Sequence, residues 1–279
     1  MILIAESGST KCNWVLCHED SSVLDRFETI GFNPYFINSQ LLNDSLESSG
    51  LSDFRLEIVQ VFFYGSGCSS NDKKKFIQEN LSNFFLNATV NVNHDLDAAC
   101  FSLFSGVPNI TCILGTGSNS CLYNGKDIIE SAPSLGFIVG DEASGSYFGK
   151  KILNLYYNNK LGKELSLNLE NKFETDINIV HNKIYNNDMP NSFLASYFPF
   201  IIENKKYELI HQLIYFSLNE FFDLHIKCFE NHKDVEVNFV GSVAFYLSEE
   251  IRSIAENNNI TIGRIIQRPI DNLLNYHFN

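Results

Sequence analysis

Two short turns rich in glycine and hydroxyl side chains each join a pair of apolar segments. ESGSTK at 6–11 lies between ILIA at 2–5 and WVLC at 14–17, and GTGSN at 115–119 follows an apolar run at 110–114. Glycine lets backbone N–H groups converge closely on phosphate oxygens, which hydroxyl and ammonium groups also bind. The donors that the two turns offer are Gly8, Ser9, Thr10, Lys11, Gly115, Thr116, Gly117 and Ser118. Together the turns predict a site that binds phosphate groups.

Three carboxylates stand directly after apolar segments, where an acidic side chain needs a reason to be present: Glu6, Asp95 and Asp141. Phosphoryl transfer to an alcohol requires one carboxylate to accept the hydroxyl proton and another to hold Mg²⁺ through water. The three candidates suffice for both roles. Asp95 also stands where a strand gives way to a helix, so it could instead be a helix N-cap, and Asp97 could compete for the role of base.

Two common nucleotide-binding motifs are excluded by their spacing. GSYFGKK at 145–151 has three residues between its glycines instead of the four of a P-loop, and Lys151 replaces the Ser or Thr that would bind Mg²⁺. We interpret it as a helix that packs through small residues. Gly115 and Gly117 begin like a dinucleotide fingerprint, but the third glycine would fall at Ser120 and the segment continues as a strand.

Composition narrows the classes of partner and compartment. The chain has 279 residues, of which 44% are hydrophobic, and a formal net charge of −13. This charge disfavours nucleic acid and membrane surfaces as partners, and a small-molecule substrate remains. The seven cysteines form no C-x-x-C pair and suit a reducing compartment. Because the apolar run at 2–5 is too short for a signal peptide and no segment matches a bilayer span, we expect a cytoplasmic protein.

The pattern of the chain predicts an α/β protein with two lobes. Strand-like and helix-like segments alternate, and the length exceeds a single compact core. ITCILGTGSNSCLYNGK can be laid over ILIAESGSTKCNWVL with Gly8 on Gly117, although two glycine hairpins could also match by chance. The repetition predicts an N-terminal lobe over 1–111 and a C-terminal lobe over 112–279, joined by a hinge near 105–111.

Six motifs in order give the chain a family resemblance. They are ESGSTK at 6–11, GFNPYF at 31–36, HDLDAA at 94–99, LGTGSNS at 114–120, PSLGFIVGDEASG at 133–145 and FVGSVA at 239–244. The sequence resembles the N-acetylglucosamine kinase and BadF/BadG-type ATPase family of the actin-like ATPase, sugar kinase and Hsp70 superfamily. The resemblance implies a two-lobed, ribonuclease H-like fold with a duplicated mixed-sheet core and an ATP cleft between the lobes.

The resemblance also implies roles for single residues and the use of ATP with Mg²⁺. Asp95 would be the base, Glu6 and Asp141 would hold the metal ion, and Thr10 and Thr116 would contact phosphates among the donors of the two turns. The adenosine motif would place Gly241 and Ser242 near the nucleoside. The residues implied to bind the acceptor sugar are Asn33, Asp95, Ser118, Asn119, Gly136 and Asp141. A homodimer is also implied.

The chain departs from the family pattern at four positions: Glu6 replaces Asp, Cys12 replaces Thr, Leu135 replaces Trp and Ala143 replaces Gly. Three functions therefore stay open at this point. The first is an ATP-dependent kinase of an amino sugar such as N-acetylglucosamine or of a related hexose. The second is an ATPase that activates electron transfer, of the 2-hydroxyacyl-CoA dehydratase activator type. The third is a sugar or nucleotide sensor without catalysis.

Overall fold

A computed structural model describes residues 1–278, which form two compact units. One unit contains residues 1–103 and the chain from Arg268 onward, and the other contains residues 104–267. Each unit is built on one five-stranded sheet. None of the helices described over residues 1–278 combines the length and the hydropathy that crossing a bilayer requires.

The first unit has a mixed sheet whose strands lie in the order β3-β2-β1-β4-β5. These strands are β1 (Ile2–Ser7), β2 (Lys11–Cys17), β3 (Val23–Ile30), β4 (Gln60–Gly65) and β5 (Thr89–His94). The first three strands run antiparallel, whereas β4 lies parallel to β1 and β5 parallel to β4. The central strands β1 and β4 are nearly continuous apolar runs because helices cover both faces of a parallel sheet region.

Three helices of the first unit precede residue 104: α1 (Ser39–Glu47), α2 (Asn71–Phe84) and α3 (Asp95–Leu103). A 3₁₀ turn at Leu51–Phe54 follows α1. Ser70 caps α2 by accepting a hydrogen bond from the Lys73 N–H. Asn71, the next residue, also has a side chain of a type that caps helices. Ser70 takes the role because it alone keeps the extended backbone that an N-cap requires, while Asn71 is already helical.

The second unit repeats the sheet of the first, with the strand order β10-β9-β6-β7-β8. Its strands are β6 (Asn109–Leu114), β7 (Ser118–Tyr123), β8 (Ile128–Ser131), β9 (Glu236–Val240) and β10 (Ile262–Ile266). Again three strands run antiparallel in succession, and the fourth and fifth add parallel to the first. This confirms the predicted duplicated mixed-sheet core.

The second unit contains nine helices, and most of them lie between β8 and β9 in the sequence. They are α4 (Gly136–Val139), α5 (Gly145–Tyr157), α6 (Lys163–Glu170), α7 (Ile177–Tyr185), α8 (Pro190–Ala195), α9 (Phe198–Glu203), α10 (Glu208–His225), α11 (Ser242–Tyr246) and α12 (Ser248–Asn257). The longest, α10, buries Ile210, Ile214, Leu218 and Phe221 on one face, at the spacing of an amphipathic helix.

The helix α13 (Ile270–Phe278) packs on the first unit. Ile270 and Leu273 are buried in a cluster with Ile4 and Val15 of the sheet. The His277 ring stacks on Phe62 with ring centroids 3.9 Å apart, and its Nε2 lies 2.9 Å from the Tyr64 hydroxyl. Burial lowers the pKa of His277 to about 4.

The units divide the chain differently from the predicted lobes. The predicted boundary after residue 111 falls inside β6, and residues 268–278, expected in the C-terminal lobe, pack with the first unit. The predicted overlay of Gly8 on Gly117 also differs from the strand ends. Gly8 is the first residue after β1, and its counterpart after β6 is Gly115. The second hairpin closes with one residue fewer, because Ser7 pairs with Cys12 but Leu114 with Ser118.

We predict that His277 makes the docking of α13 sensitive to acid. Its folded pKa of about 4 lies below the ordinary value of 6.5, so the unfolded chain takes up the proton first as the pH falls. The stability that the neutral ring contributes is complete above about pH 6.5 and is lost between pH 6.5 and 4. His277→Phe, which keeps an aromatic ring, should therefore lose less stability than the wild type between pH 7 and pH 5, measured by the urea midpoint. His211→Phe on an exposed site is the matched control, and an equal loss in all three proteins would contradict the prediction.

Candidate active site

The first glycine turn, residues 8–10, is held by a close contact with the loop after β3. The Gly31 N–H donates to the Thr10 carbonyl at 3.0 Å. A Cβ placed on Gly31 would lie 2.3 Å from the Gly8 carbonyl oxygen, far inside van der Waals contact. The absence of a side chain at residue 31 is therefore what allows the two backbones to pack together.

Asn33 links the same loop to the turn through its side chain. This residue is buried, and its Nδ2 donates to Ser9 Oγ at 2.9 Å while its Oδ1 accepts from the Tyr35 N–H at 3.0 Å. Ser9 Oγ also lies 3.2 Å from Ser66 Oγ. A primary amide has two N–H bonds and two lone pairs, so Asn33 keeps one donor and one acceptor for a ligand.

Lys11, the one cation of the first turn, is engaged elsewhere in this structure. Its Nζ lies 2.8 Å from Glu28 Oε1, and both side chains are exposed. An exposed pair of this kind contributes little stability, so an anionic ligand could compete for the ammonium group.

Asp95 begins α3 at the end of β5, and the structure separates its role from that of Asp97. The Asp97 carboxylate accepts the His94 N–H at 3.0 Å, which satisfies the start of the helix. Asp95 Oδ1 is shielded from water and receives no hydrogen bond from the described part of the chain. It lies 3.1 Å from His94 Nδ1, but that nitrogen already accepts the Leu96 N–H. His94 and Asp97 therefore make the hydrogen bonds at the start of α3, and Asp95 Oδ1 makes none.

Glu6 lies at the end of β1 in a setting that suits a bound cation. Its pKa is raised to about 7, chiefly by burial and also by the charge of Asp95, although the Asn13 amide at 3.3 Å and Arg268 oppose this rise. The nearby charge of Asp95 disfavours ionisation of Glu6, and a divalent ion would favour the ionised form of Glu6. Over residues 1–278, no three His, Cys, Asp or Glu side chains converge to bind a metal by themselves. Mg²⁺ commonly takes one or two carboxylates and completes its shell with water and substrate phosphates, so Glu6 fits this ion.

The second turn, residues 115–117, rests on the start of α5. The Gly145 N–H donates to the Gly115 carbonyl at 2.8 Å, and the Ser146 N–H donates to the Thr116 carbonyl at 3.1 Å. These bonds satisfy two of the amides that the first turn of any helix leaves without a partner. The helix also confirms the interpretation of residues 145–151, since a Cβ on Gly149 would collide with the Leu194 carbonyl.

Gly241, which is predicted to lie near the nucleoside, packs against the strand that leads into this turn. It follows β9 with φ of +126°, a backbone conformation that favours glycine. A Cβ there would lie 2.3 Å from the Leu114 carbonyl oxygen. Ser242 comes next as the exposed first residue of α11. Gly241 therefore lies beside the second turn within the same unit.

Asp141 adjoins the second turn from the segment that precedes α5. Its Oδ1 accepts the Ser118 N–H at 3.3 Å, and a Cβ on Gly117 would lie 2.8 Å from its Oδ2. Ser118 Oγ is buried and has no hydrogen-bond partner in the part of the chain that the structure describes. Such an atom is costly unless a ligand or water satisfies it, which favours the predicted role of Ser118 in binding a hydroxyl group.

Gly136 begins the short helix α4, which is open to solvent. Leu135, Ile138 and Val139 are exposed by 61%, 75% and 69%, although all three are large and apolar. Lys150 of α5 donates its Nζ to the Phe137 carbonyl and so ties α4 to the helix behind it. Sequence reasoning missed this lysine because its partner is a backbone atom, which no residue type reveals. Asn119, also predicted to bind sugar, is half-buried on β7 and its Oδ1 accepts the Ser120 N–H.

We predict that Gly31→Ala destabilises the first unit while Gly8→Ala does not. The new methyl group at residue 31 would overlap the Gly8 carbonyl, and overpacking of this kind costs about 1–3 kcal/mol. At Gly8 a methyl group would meet only the Lys11 carbonyl at 3.7 Å, an ordinary contact. Urea unfolding of both variants measures the difference, and equal midpoints would contradict the close packing.

We predict that Glu6→Gln stabilises the protein at pH 8 and not at pH 4. The folded pKa of about 7 exceeds the ordinary 4.5, so the folded state holds the proton more tightly and stability falls as the pH rises through this window. Removing the charge should recover on the order of 2–3 kcal/mol at pH 8. Thermal unfolding at both pH values checks this, with exposed Glu19→Gln as the control. A gain at pH 4 equal to that at pH 8 would show that burial of the charge is not the cause.

Comparison with known proteins places the chain in a family. No protein-family model matches the sequence, and no protein of curated function matches it. A candidate N-acetylglucosamine kinase of known structure from Porphyromonas gingivalis is 31% identical and superimposes with a TM-score of 0.91. The match covers 100% of this chain and 99% of that one.

Two more distant structures share the fold. A candidate N-acetylglucosamine kinase from Chromobacterium violaceum is 14% identical with a TM-score of 0.72, and the match covers 99% of this chain and 98% of that one. A ROK family glucokinase from Streptomyces griseus, solved with glucose and AMPPNP, is 12% identical with a TM-score of 0.62 over 99% and 97% of the two chains. The present chain has the duplicated mixed sheets of this fold and is similar to the Porphyromonas protein over its full length. It therefore belongs to the N-acetylglucosamine kinase family, within the sugar kinases of actin-like ATPase fold.

Proposed function

We propose that this chain is a kinase that transfers a phosphoryl group from ATP to a hydroxyl group of an amino sugar such as N-acetylglucosamine, or of a related hexose. The observation that carries the proposal is the full-length, 31% identical match to a candidate N-acetylglucosamine kinase. The bound glucose and AMPPNP of the Streptomyces glucokinase support the use of a sugar and a nucleotide by this fold. The buried Oδ1 of Asp95, which has no hydrogen-bond partner in the described part of the chain, supports phosphoryl transfer rather than binding of the sugar alone.

Asp95 is the proposed base. The sugar hydroxyl oxygen forms a bond to the γ-phosphorus, the bond from that phosphorus to the bridging oxygen breaks, and its electron pair leaves with ADP. The hydroxyl proton passes to the Asp95 carboxylate. Asp97 is less suited to this step because its carboxylate already accepts the His94 N–H.

The two turns are the proposed phosphate ligands. Gly8, Ser9, Thr10 and Lys11 offer donors in the first unit, and Gly115, Thr116 and Gly117 offer them in the second. Backbone amides held by the packing of Gly31 and Gly241 need no rearrangement when the phosphates bind. Gly241 and the exposed Ser242 would adjoin the nucleoside.

Glu6 and Asp141 are the proposed ligands of Mg²⁺. The ion, when bound, neutralises charge on the phosphate oxygens and so favours attack by the hydroxyl group. Glu6 has one more methylene than the Asp usual in the family, so it reaches further along the same direction.

The acceptor sugar would be bound by groups that still have hydrogen-bonding capacity. Ser118 Oγ is buried without a partner, and Asn33 keeps one donor and one acceptor. Asn119, Gly136 and Asp141 complete the proposed set.

The activator function finds no support in the cysteines. A cluster shared at a dimer axis requires exposed thiols, and Cys228 is the exposed one among the seven, the other six being buried. The sensor function differs from the kinase in one observable, because a sensor would bind sugar without phosphorylating it. The homodimer and the cytoplasmic location stay predictions.

We predict that ADP release by this protein depends on sugar and on Asp95. The experiment measures ADP formation from MgATP with N-acetylglucosamine, N-acetylmannosamine and glucose. Asp95→Asn should lower kcat by about 10²–10⁴-fold, because the base is lost while its shape is kept. Asp97→Asn, two residues along the same helix, is the matched control and should keep most activity.

Two results would count against the kinase. One is that no sugar stimulates ADP release and Asp95→Asn has no effect. The other is calorimetric binding of a sugar without any phosphorylated product, which would favour the sensor.

A further inference from the structure

Glu142 follows Asp141 directly and makes a buried contact with a residue far away in the sequence. Its Oε2 lies 3.0 Å from His225 Nε2, and the two side chains are exposed by only 14% and 4%. His225 is in the last turn of α10 and belongs to none of the six motifs. Burying an acidic group in this way is favourable only when its partner remains in place.

The other side of the same imidazole faces β7. His225 Nδ1 lies 3.5 Å from Ser120 Oγ, and this hydroxyl donates to the His225 carbonyl at 2.7 Å. Ser120 is fully buried and follows Ser118 and Asn119 on the strand. One histidine therefore connects the strand that carries two proposed sugar ligands with the segment that carries Asp141.

The segment that carries Asp141 needs such a connection. Asp141 and Ala143 both have φ of +56°, a left-handed conformation that residues with a Cβ seldom adopt. Glu142 is the residue between them. Without a contact that fixes its side chain, the backbone on either side could relax to right-handed angles and move the Asp141 carboxylate away from Ser118.

The orientation of the imidazole is itself fixed by packing. Its ring stacks on Phe221, one turn earlier on α10, with centroids 4.7 Å apart and planes 15° apart. Phe221 is fully buried and also packs against Phe239 of β9. The position of the imidazole is thus set by the core of the second unit.

We propose that His225 is a positioning residue for the acceptor sugar: through Glu142 and Ser120 it holds Asp141 in register with Ser118 and Asn119. This inference rests on the proposed function, because it assigns those residues to sugar binding. His225 does not touch the substrate and acts through its two neighbours.

The test compares His225→Ala, His225→Gln and His211→Ala. His225→Gln keeps a donor for Glu142, and His211 is an exposed histidine of the same helix that serves as the matched control. His225→Ala should raise the KM for sugar at least tenfold and leave the KM for ATP within about twofold, since a small misplacement of a ligand group is enough for a large kinetic loss. His225→Gln should restore most of the loss. A merely structural role would change both KM values or neither.

A second measurement does not depend on activity. Hydrogen exchange of the amides at 140–144 should be faster in His225→Ala than in the wild type and His211→Ala, while the core strands β6 and β9 stay protected. In a double-mutant cycle, Glu142→Ala should add little to His225→Ala, because both remove the same connection.

The outcomes separate the inference from the kinase proposal. If the wild type releases no ADP with any sugar, the proposed function fails, and faster exchange at 140–144 in His225→Ala still supports the positioning of Asp141. Unchanged exchange at 140–144 overturns the inference whatever the wild type does. An active enzyme whose sugar KM is unchanged by His225→Ala overturns it as well.

Discussion

Contact of backbone with backbone at glycine is the constraint on which both glycine turns depend. In the first unit Gly31 lies against Gly8, and in the second Gly241 lies against Leu114, each so close that a Cβ would come within 2.3 Å of a carbonyl oxygen. Both contacts fix a turn between two antiparallel strands, whose amides then point in set directions. A site for phosphate built from backbone groups has to be rigid before the ligand arrives, because flexible amides would lose conformational entropy on binding.

The duplicated topology explains why the two turns are alike without being identical. In each sheet the first two strands form the hairpin, and the fourth strand lies parallel to the first and ends beside the turn. The segment after that strand supports the turn in both units: the Ser66 N–H donates to the Ser7 carbonyl, and Gly241 packs against Leu114. The carboxylates then differ. Asp95 is the first residue of a helix in the first unit, whereas Asp141 lies beside the second turn in a left-handed backbone conformation.

Local chemistry in the sequence was sufficient for the fold class and for the strands beside the two glycine turns. The apolar runs at 2–5, 14–17 and 110–114 indicated the strands β1, β2 and β6. The edge strand β8 was not predicted, because IIES carries no alternation strong enough to be recognised. The overlay of the two hairpins paired Gly8 with Gly117 because this alignment gave the best residue match. Strand pairing shows instead that the two turns differ in length by one residue.

Long-range contacts are what the sequence could not supply. The return of α13 to the first unit depends on the fit of Ile270 and His277 to one face of a sheet, which no local pattern encodes. The contact of Glu142 with His225 joins residues 83 positions apart, and neither type is unusual where it stands. The sequence likewise left Asp95 and Asp97 as rivals, and only the hydrogen bond from His94 to Asp97 separates them.

In the proposed kinase, the amides of both glycine turns bind the phosphates of ATP. Hydrogen exchange measured with and without AMPPNP and Mg²⁺ tests this binding, since an amide that binds a phosphate oxygen exchanges slowly. We expect slower exchange in both segments, 8–11 and 115–118, at nucleotide concentrations that saturate the protein. Protection of only one turn, or of neither while the nucleotide is bound, would contradict it.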